Sequence, residues 1–550
     1  MKIILRPDQQ QLKNDIYTEW SKGHRNVVAV MPTGAGKSIL VSDIILDGYG
    51  QNLAQAVIAH RNELVSQMSI HIANRGIPHR IIGANETVSQ ITRLHRETFN
   101  GRSFINPSAK TAVVGVDTLI ARRETLADWA AQIDRWVVDE QHHLLRPPNK
   151  WGKAVEMFTN AHGLGVTATP ERPDGQGLGA HADGVAHSMV QGLSMRELIN
   201  IGALCDYEIV CPTSDIEVND DDVTAGGDYS PKKLKAAAKG SHIVGDVVKA
   251  YQRYASGKQA ICFTTDVETS GKIAAQFNEA GIRAASLSAE TPAAVREKFT
   301  KEFKAGKLFV LVNVDLFDEG FDVSGCEVVI MARPTASIVK YLQQFGRAMR
   351  TAPGKSHGLI IDHVSNVKRH GYPDKPRFWT LDRRDKRAKK QLDPDEIPLT
   401  ECKTCARPYE RFLAACPHCG ATQPLPEPHL RSVEMVDGDL ILLDRETLEK
   451  MRQAAILEAP GDMGARVGHV AGDFAARGVM ARQIEKIAAQ ERLKHSLAQW
   501  AAIEREAGRS DSEIHRKFYL TTGIDVLSAL GLDNRQKYEE LATRVEGWYL

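Results

Sequence analysis

The chain has 550 residues, 42% of them hydrophobic and 25% charged, which excludes a disordered or fibrous protein. Its 70 Lys+Arg against 69 Asp+Glu leave a net charge of +1, so any nucleic-acid surface must be a local patch. No apolar run approaches the roughly 18–20 residues that cross a bilayer, and MKIILRPDQQ turns polar too early for a signal peptide, so a cytoplasmic protein with no membrane partner is expected.

The first predicted elements are a strand at 27–31 (VVAVM), a turn PTGAGKS, and an apolar-periodic helix beginning near Ile39. In such a turn Gly34 and Gly36 let backbone N–H groups approach phosphate oxygens, and the helix adds its positive end. Lys37 would hold the β- and γ-phosphates of ATP and Ser38 would ligate Mg²⁺, although Met31 stands where the general pattern has glycine. About a hundred residues on, an apolar strand at 136–138 runs into Asp139, Glu140, Gln141 and His142. Carboxylates at the carboxyl end of a parallel strand face the phosphate crevice. Asp139 can hold Mg²⁺ through water and Glu140 can accept a proton from the attacking water; a solvated acidic turn is the plainer alternative.

MPTGAGKS, DEQH and VTATP (166–170), in that order, resemble motifs I, II and III of superfamily 2 helicases, where the phosphate loop commonly reads xxTGxGK[ST] and Met31 is ordinary. The resemblance implies two RecA-like lobes and adds Thr33 to the nucleotide-binding set. LRPDQQ resembles the segment that contacts adenine, which implies that role for Arg6 and Gln9, with Asp8 in place of the usual aromatic. AHRNELVSQ (59–67) and VGVDTL (114–119) resemble segments that touch the bound strand's backbone, implying contacts by His60, Arg61 and Thr118; a polar helix cap reads similarly. In the DExH subset His142 links the nucleotide site to the second lobe, and Thr167 and Thr169 belong to the coupling motif. His143 reads as structural, since no further metal ligands adjoin the two histidines.

Residues 181–240, including NDDDVTAGGDYSPKK, have the composition of an exposed connection. Beyond them apolar strands alternate with helical patterns, the signature of a second parallel α/β domain. FDEGFDV (317–323) resembles motif V, implying nucleotide contacts by Gly320 and Asp322, and QQFGRAMR (343–350) fits QxxGRxxR of motif VI. Gln343 then joins the coupling set. Arg347 and Arg350, three apart, would share a helix face and reach one anion together, supplied across the cleft to the γ-phosphate.

KPRFWTLDRRDKRAKKQ (375–391) is basic with two aromatics, which suits either phosphate and base contacts or a solvated linker with an aromatic anchor. Cys402 and Cys405, then Cys416 and Cys419, form two CxxC pairs separated by ten residues, the spacing of one closed, structural Zn²⁺ site. A hairpin is expected over 430–443, and amphipathic helices after it.

The expected architecture is α/β: a first lobe at 1–180, a connection at 181–240, a second lobe at 241–371, a basic linker at 372–398, a zinc ribbon at 399–424 and a mainly helical region at 425–550. Within superfamily 2, the LRPxQQ opening, DExH box and ribbon after motif VI look most like the RadD-like bacterial and phage DNA helicases. That likeness implies an ATP-dependent motor on DNA in replication, recombination or repair, with protein partners open to the ribbon or tail. An RNA helicase, a duplex translocase that does not separate strands, and an ATP-gated nucleic-acid clamp are the alternatives.

Overall fold

Short runs of Val, Ile and Ala, buried on both faces, make the central strands of two parallel sheets, as expected where helices cover each side. The computed structural model describes residues 4–59, 61–212, 216, 218, 222–224, 226–317, 326–384, 397–422, 457–532 and 534–549. Two units result, Met1–Lys389 with both sheets and Lys390–Leu550.

The first sheet holds β1 (Asn26–Val30), β2 (Gln55–Ala59), β3 (Arg80–Ile82), β4 (Thr111–Gly115), β5 (Arg135–Asp139), β6 (His162–Thr167) and β7 (Ser188–Gln191), in the order β3-β4-β2-β5-β6-β1-β7. The second holds β8 (Asp206–Val210), β9 (Ala260–Phe263), β10 (Ala284–Leu287), β11 (Val310–Asn313), β12 (Val328–Met331) and β13 (His357–Asp362), in the order β10-β11-β9-β12-β13-β8. All their pairings are parallel.

The stretch 181–240 is therefore more than a connection. β7 extends the first sheet beside β1, and β8 closes the second beside β13, so the chain passes between lobes over 192–205. Both are edge strands with half-exposed residues, which blunts the apolar signal that marks an inner strand.

The chain crosses back after the helix Asn366–His370. Trp379 and Leu381 pack against Val28, Val30 and Ala186 of the first lobe, and Leu381 O accepts from Gly179 N–H at 2.9 Å. Arg383 pairs with Asp183 and Arg384 with Glu171. Of the expected basic linker, the part up to residue 384 is thus a strap docked on the first lobe, while 385–396 lie outside the described residues. Its aromatics divide: Trp379 packs, and Phe378 is 97% exposed. The two crossings meet at Asp374, whose carboxylate accepts from Arg196 Nε at 2.6 Å and Tyr207 Oη at 2.5 Å.

In the second unit an antiparallel pair, β14 (Leu399–Glu401) and β15 (Pro408–Glu410), frames the cysteines. The helices Pro460–Glu506, Asp511–Thr522, Val526–Leu530 and Arg535–Glu546 enclose a core with Leu493, Trp500, Phe518, Tyr538 and Val545. Phe412 of the ribbon lies under the cations of Arg509 and Lys517, 5.1 and 5.5 Å from its ring centre. The expected hairpin at 430–443 lies outside the described residues. Among the described residues no helix is long and apolar enough to cross a membrane.

Candidate active site at the lobe interface

The glycine turn caps the helix Lys37–Gly50 in the way a left-handed backbone permits: Gly34 has φ 87° and Gly36 φ 92°. Arg6 and Gln9 brace this turn, donating to Ala35 O at 3.0 and 3.1 Å. Asp8 holds the Arg6 guanidinium at 2.8 Å, so the residue in the usual aromatic position orients its neighbour. A Cβ on Gly36 would strike the Gln9 amide. Thr33 is buried, whereas Lys37 and Ser38 are half-buried at the mouth of the turn.

β5 delivers Asp139 and Glu140 to the same edge, 8% and 5% exposed. Glu140 has φ 57° and ψ 59°, a left-handed conformation that costs a non-glycine residue about 1–3 kcal/mol and is concentrated at functional sites. Its N–H donates to Asp139 Oδ1 at 3.0 Å. His142 Nδ1 lies 3.5 Å from Glu140 Oε2 and 3.4 Å from Thr167 Oγ1. Thr167 Oγ1 in turn donates to Thr169 O at 2.9 Å, so the acidic turn and the coupling strand share one network. Arg172 closes it by donating to His142 O at 2.6 Å. His143 instead stacks on Trp151, ring centres 5.9 Å apart.

The second lobe meets these groups directly. Gln343 Nε2 donates to Glu140 Oε2 at 3.4 Å. Gly346 is pressed so close to Thr33 that a Cβ would collide with it. Arg350 Cγ lies 3.5 Å from where a Cβ on Gly34 would stand, and burial lowers its guanidinium pKa from the usual value. Arg347 is 5% exposed.

The two arginines do not share a helix face, contrary to the spacing argument. The helix Ile338–Phe345 ends before them, and they sit on the turn that follows. Lys355 fixes that turn: its Nζ donates to the carbonyls of Cys326, Ala348 and Arg350 at 2.8, 2.5 and 2.9 Å. Sequence reasoning missed Lys355 and Arg172, because both act on backbone carbonyls that no side-chain pattern marks.

Arg61 reaches across to the second lobe, donating to Leu316 O at 3.1 Å and Asp315 O at 3.4 Å. Thr118 lies on the short helix Val116–Ala121. His60, Gly320 and Asp322 lie outside the described residues.

In the second unit the Sγ atoms of Cys402, Cys405, Cys416 and Cys419 all lie within 4.8 Å of one another, with Cys402–Cys419 at 3.6 Å and Cys405–Cys416 at 3.7 Å. Four thiolates around one Zn²⁺ have edges of about 3.8 Å, so the set fits that ion. Burial opposes ionisation of Cys402, but the N–H groups of Cys405 and Thr404 outweigh it and lower the thiol pKa. His418 turns instead to Pro408 O at 3.3 Å.

Residues 2–172 match the family described as type III restriction enzyme, res subunit, and residues 243–352 match the helicase conserved C-terminal domain. A 51.5 kDa protein of a Lactococcus phage is 30% identical over 419 residues, covering 76% of this chain and 82% of that one. Irc3 of Schizosaccharomyces pombe, whose name describes a mitochondrial ATP-dependent helicase, is 26% identical over 382 residues, 67% of this chain and 58% of its own length. The DNA 3'-5' translocase XPB2 of Sulfurisphaera tokodaii is 22% identical over 388 residues, 63% of this chain and 79% of that one. With two helicase domains matched in order along the chain, the protein belongs to the superfamily 2 helicases, ATP-hydrolysing enzymes that act on nucleic acid.

Proposed function

We propose that this protein is a DNA-dependent ATPase of RadD-like character, which moves along or unwinds DNA in replication, recombination or repair. The observation that carries the reading is the meeting of Gln343 with Glu140 across the lobes. In this reading the N–H groups around Gly34 and Gly36, with Thr33 and Lys37, cradle the phosphates, and Arg6 and Gln9 face adenine. Ser38 and Asp139 would hold Mg²⁺, which supplies charge neutralisation on the phosphates. Glu140 takes the proton of the attacking water, and Arg347 and Arg350 stabilise charge on the transferred phosphoryl group. Gly320 and Asp322 complete the nucleotide contacts.

His142, Thr167, Thr169 and Gln343 relay the state of the cleft between lobes. The strand lies across both lobes, near His60, Arg61 and Thr118, so that opening and closing alter its grip. The four cysteines hold a structural Zn²⁺, and the unit around them is open to a protein partner. DNA is favoured over RNA by the names of the translocase relative and the restriction-enzyme family.

ATP turnover measured with single-stranded DNA, duplex DNA, forked DNA and RNA tests this. Stimulation by DNA is expected. No response to any polynucleotide would sink the motor, and a response to RNA alone would sink the DNA assignment.

A further inference from the structure

Besides the acidic turn of the nucleotide cleft, one further carboxylate sits among donors suited to a different anion. Asp228, between β8 and the helix Pro231–Lys239, enters the second lobe with its side chain only 15% exposed. Its Oδ1 accepts from Ala336 N–H at 2.9 Å and Thr335 Oγ1 at 3.0 Å. Its Oδ2 lies 3.1 Å from Lys340 Nζ and 3.8 Å from Arg333 NH2. Burial alone would raise its pKa, but Lys340, the Ala336 N–H and Arg333 overcome this and lower it. All these donors belong to residues 333–340, where β12 turns into the helix Ile338–Phe345. Two cations, a hydroxyl and a backbone N–H are the equipment of a phosphate site.

The other charged groups nearby define the balance. Asp315, half exposed, pairs with Arg333 at 2.7 Å and Lys340 at 3.4 Å. Arg369 lies over the Tyr229 ring at 5.3 Å, and Lys233 pairs with Asp222 at 3.2 Å. With Asp228 seated, the two cations Arg333 and Lys340 face its carboxylate as well as that of Asp315; withdrawing Asp228 takes one negative charge from their side.

Both sides of this cradle touch the first lobe. Gly227 has φ +79° and is so close to the Pro173 carbonyl that any Cβ would collide. Pro173 follows Arg172, which holds His142 O. On the opposite side, the carbonyls of Asp315 and Leu316 receive Arg61.

We propose that Arg333, Thr335, Lys340 and the Ala336 N–H form a backbone-phosphate site for the nucleic-acid strand, and that Asp228 occupies it as an internal surrogate until a phosphodiester displaces it. The inference rests on the nucleic-acid reading above and adds a site and a latch to it. A strand phosphate takes over the donors of Asp228. Gly227 then leaves Pro173, and capture of the strand is transmitted through Arg172 to the acidic turn. The strand-free enzyme is held back by its own carboxylate.

The test is anisotropy of a labelled single-stranded DNA of roughly 30 nucleotides on the full chain, over a salt series, for wild type, Asp228→Asn, Lys340→Gln and the double variant. Asp228→Asn keeps the shape and loses the charge; strand affinity rises on the order of tenfold, since the surrogate no longer taxes binding, and strand-free ATP turnover rises with it. Lys340→Gln, at a partly exposed position that tolerates change, lowers affinity in both backgrounds and reduces the logarithmic salt slope by about 1. Equal affinity of wild type and Asp228→Asn overturns the proposal, as does an unchanged salt slope in Lys340→Gln. A non-hydrolysable ATP analogue binds all four proteins equally; weaker analogue binding by Lys340→Gln would assign the cradle to nucleotide phosphate and overturn the strand site. A wild type that binds no strand at all would instead refute the nucleic-acid reading beneath it.

Discussion

Gln343 on the second lobe donates its side-chain amide to Glu140 on the first, and both side chains are buried. At 3.4 Å the bond is longer than an ordinary N–H···O bond and weaker than a well-placed one to a buried carboxylate, but it is a direct side-chain contact between the lobes. Gln343→Glu would set two carboxylates against each other in that space. Turnover at saturating polynucleotide should fall about 10- to 100-fold, with little change in ATP affinity. An unaltered kcat would show that this contact does not couple the lobes.

Glu140→Gln preserves size and removes the proton acceptor. Turnover should vanish while ATP still binds, as read by equilibrium binding of a fluorescent nucleotide. Near-normal turnover would remove Glu140 from the role of base.

Two buried histidines make the lobes acid-sensitive. Burial depresses His79 in the first lobe and His363 in the second to about 4, from an ordinary 6.5. Each is neutral when folded, whereas the unfolded chain protonates below 6.5. Their stabilising effect is therefore complete above that pH and is lost progressively as pH falls toward about 4, at a limiting rate of about 1.4 kcal/mol per pH unit for each histidine. Thermal melts between these limits should show Tm falling with pH, and His363→Leu should flatten the slope. A parallel decline in the variant would exclude His363 as a source.

The purified chain should carry about one zinc ion. Cys416→Ser, or a strong chelator, should remove it and open 399–422 to protease, since the ribbon's short β14 and β15 have little core of their own. Metal analysis followed by limited proteolysis checks both halves; a ribbon equally resistant without metal would deny the ion a structural role.

The two sheets were legible because their inner strands are apolar on both faces, and the glycine turn and acidic turn were legible because each follows such a strand. β7 and β8 were not, being short and half-polar at sheet edges. The arginine spacing pointed to a helix, yet Gly346 and the carbonyl grip of Lys355 end the helix and make a turn of it. Nor could local pattern foresee the left-handed backbone of Glu140, which is held by its surroundings. The strap's basic composition suited either phosphate and base contacts or a solvated linker, but Arg383 and Arg384 are matched by Asp183 and Glu171, about two hundred residues earlier in the chain.

That strap changes what counts as a lobe. The first lobe is built from two separated pieces of chain, and Asp374 rivets the outgoing and returning strands side by side. Two crossings tied together at one carboxylate leave the lobes, like the covers of a book, less free to twist against each other than a single thread would. A fragment cut at residue 371, where the sequence would place the end of the second lobe, would tear away part of the spine and bare the seat of Trp379; one that keeps both covers must extend through Arg384.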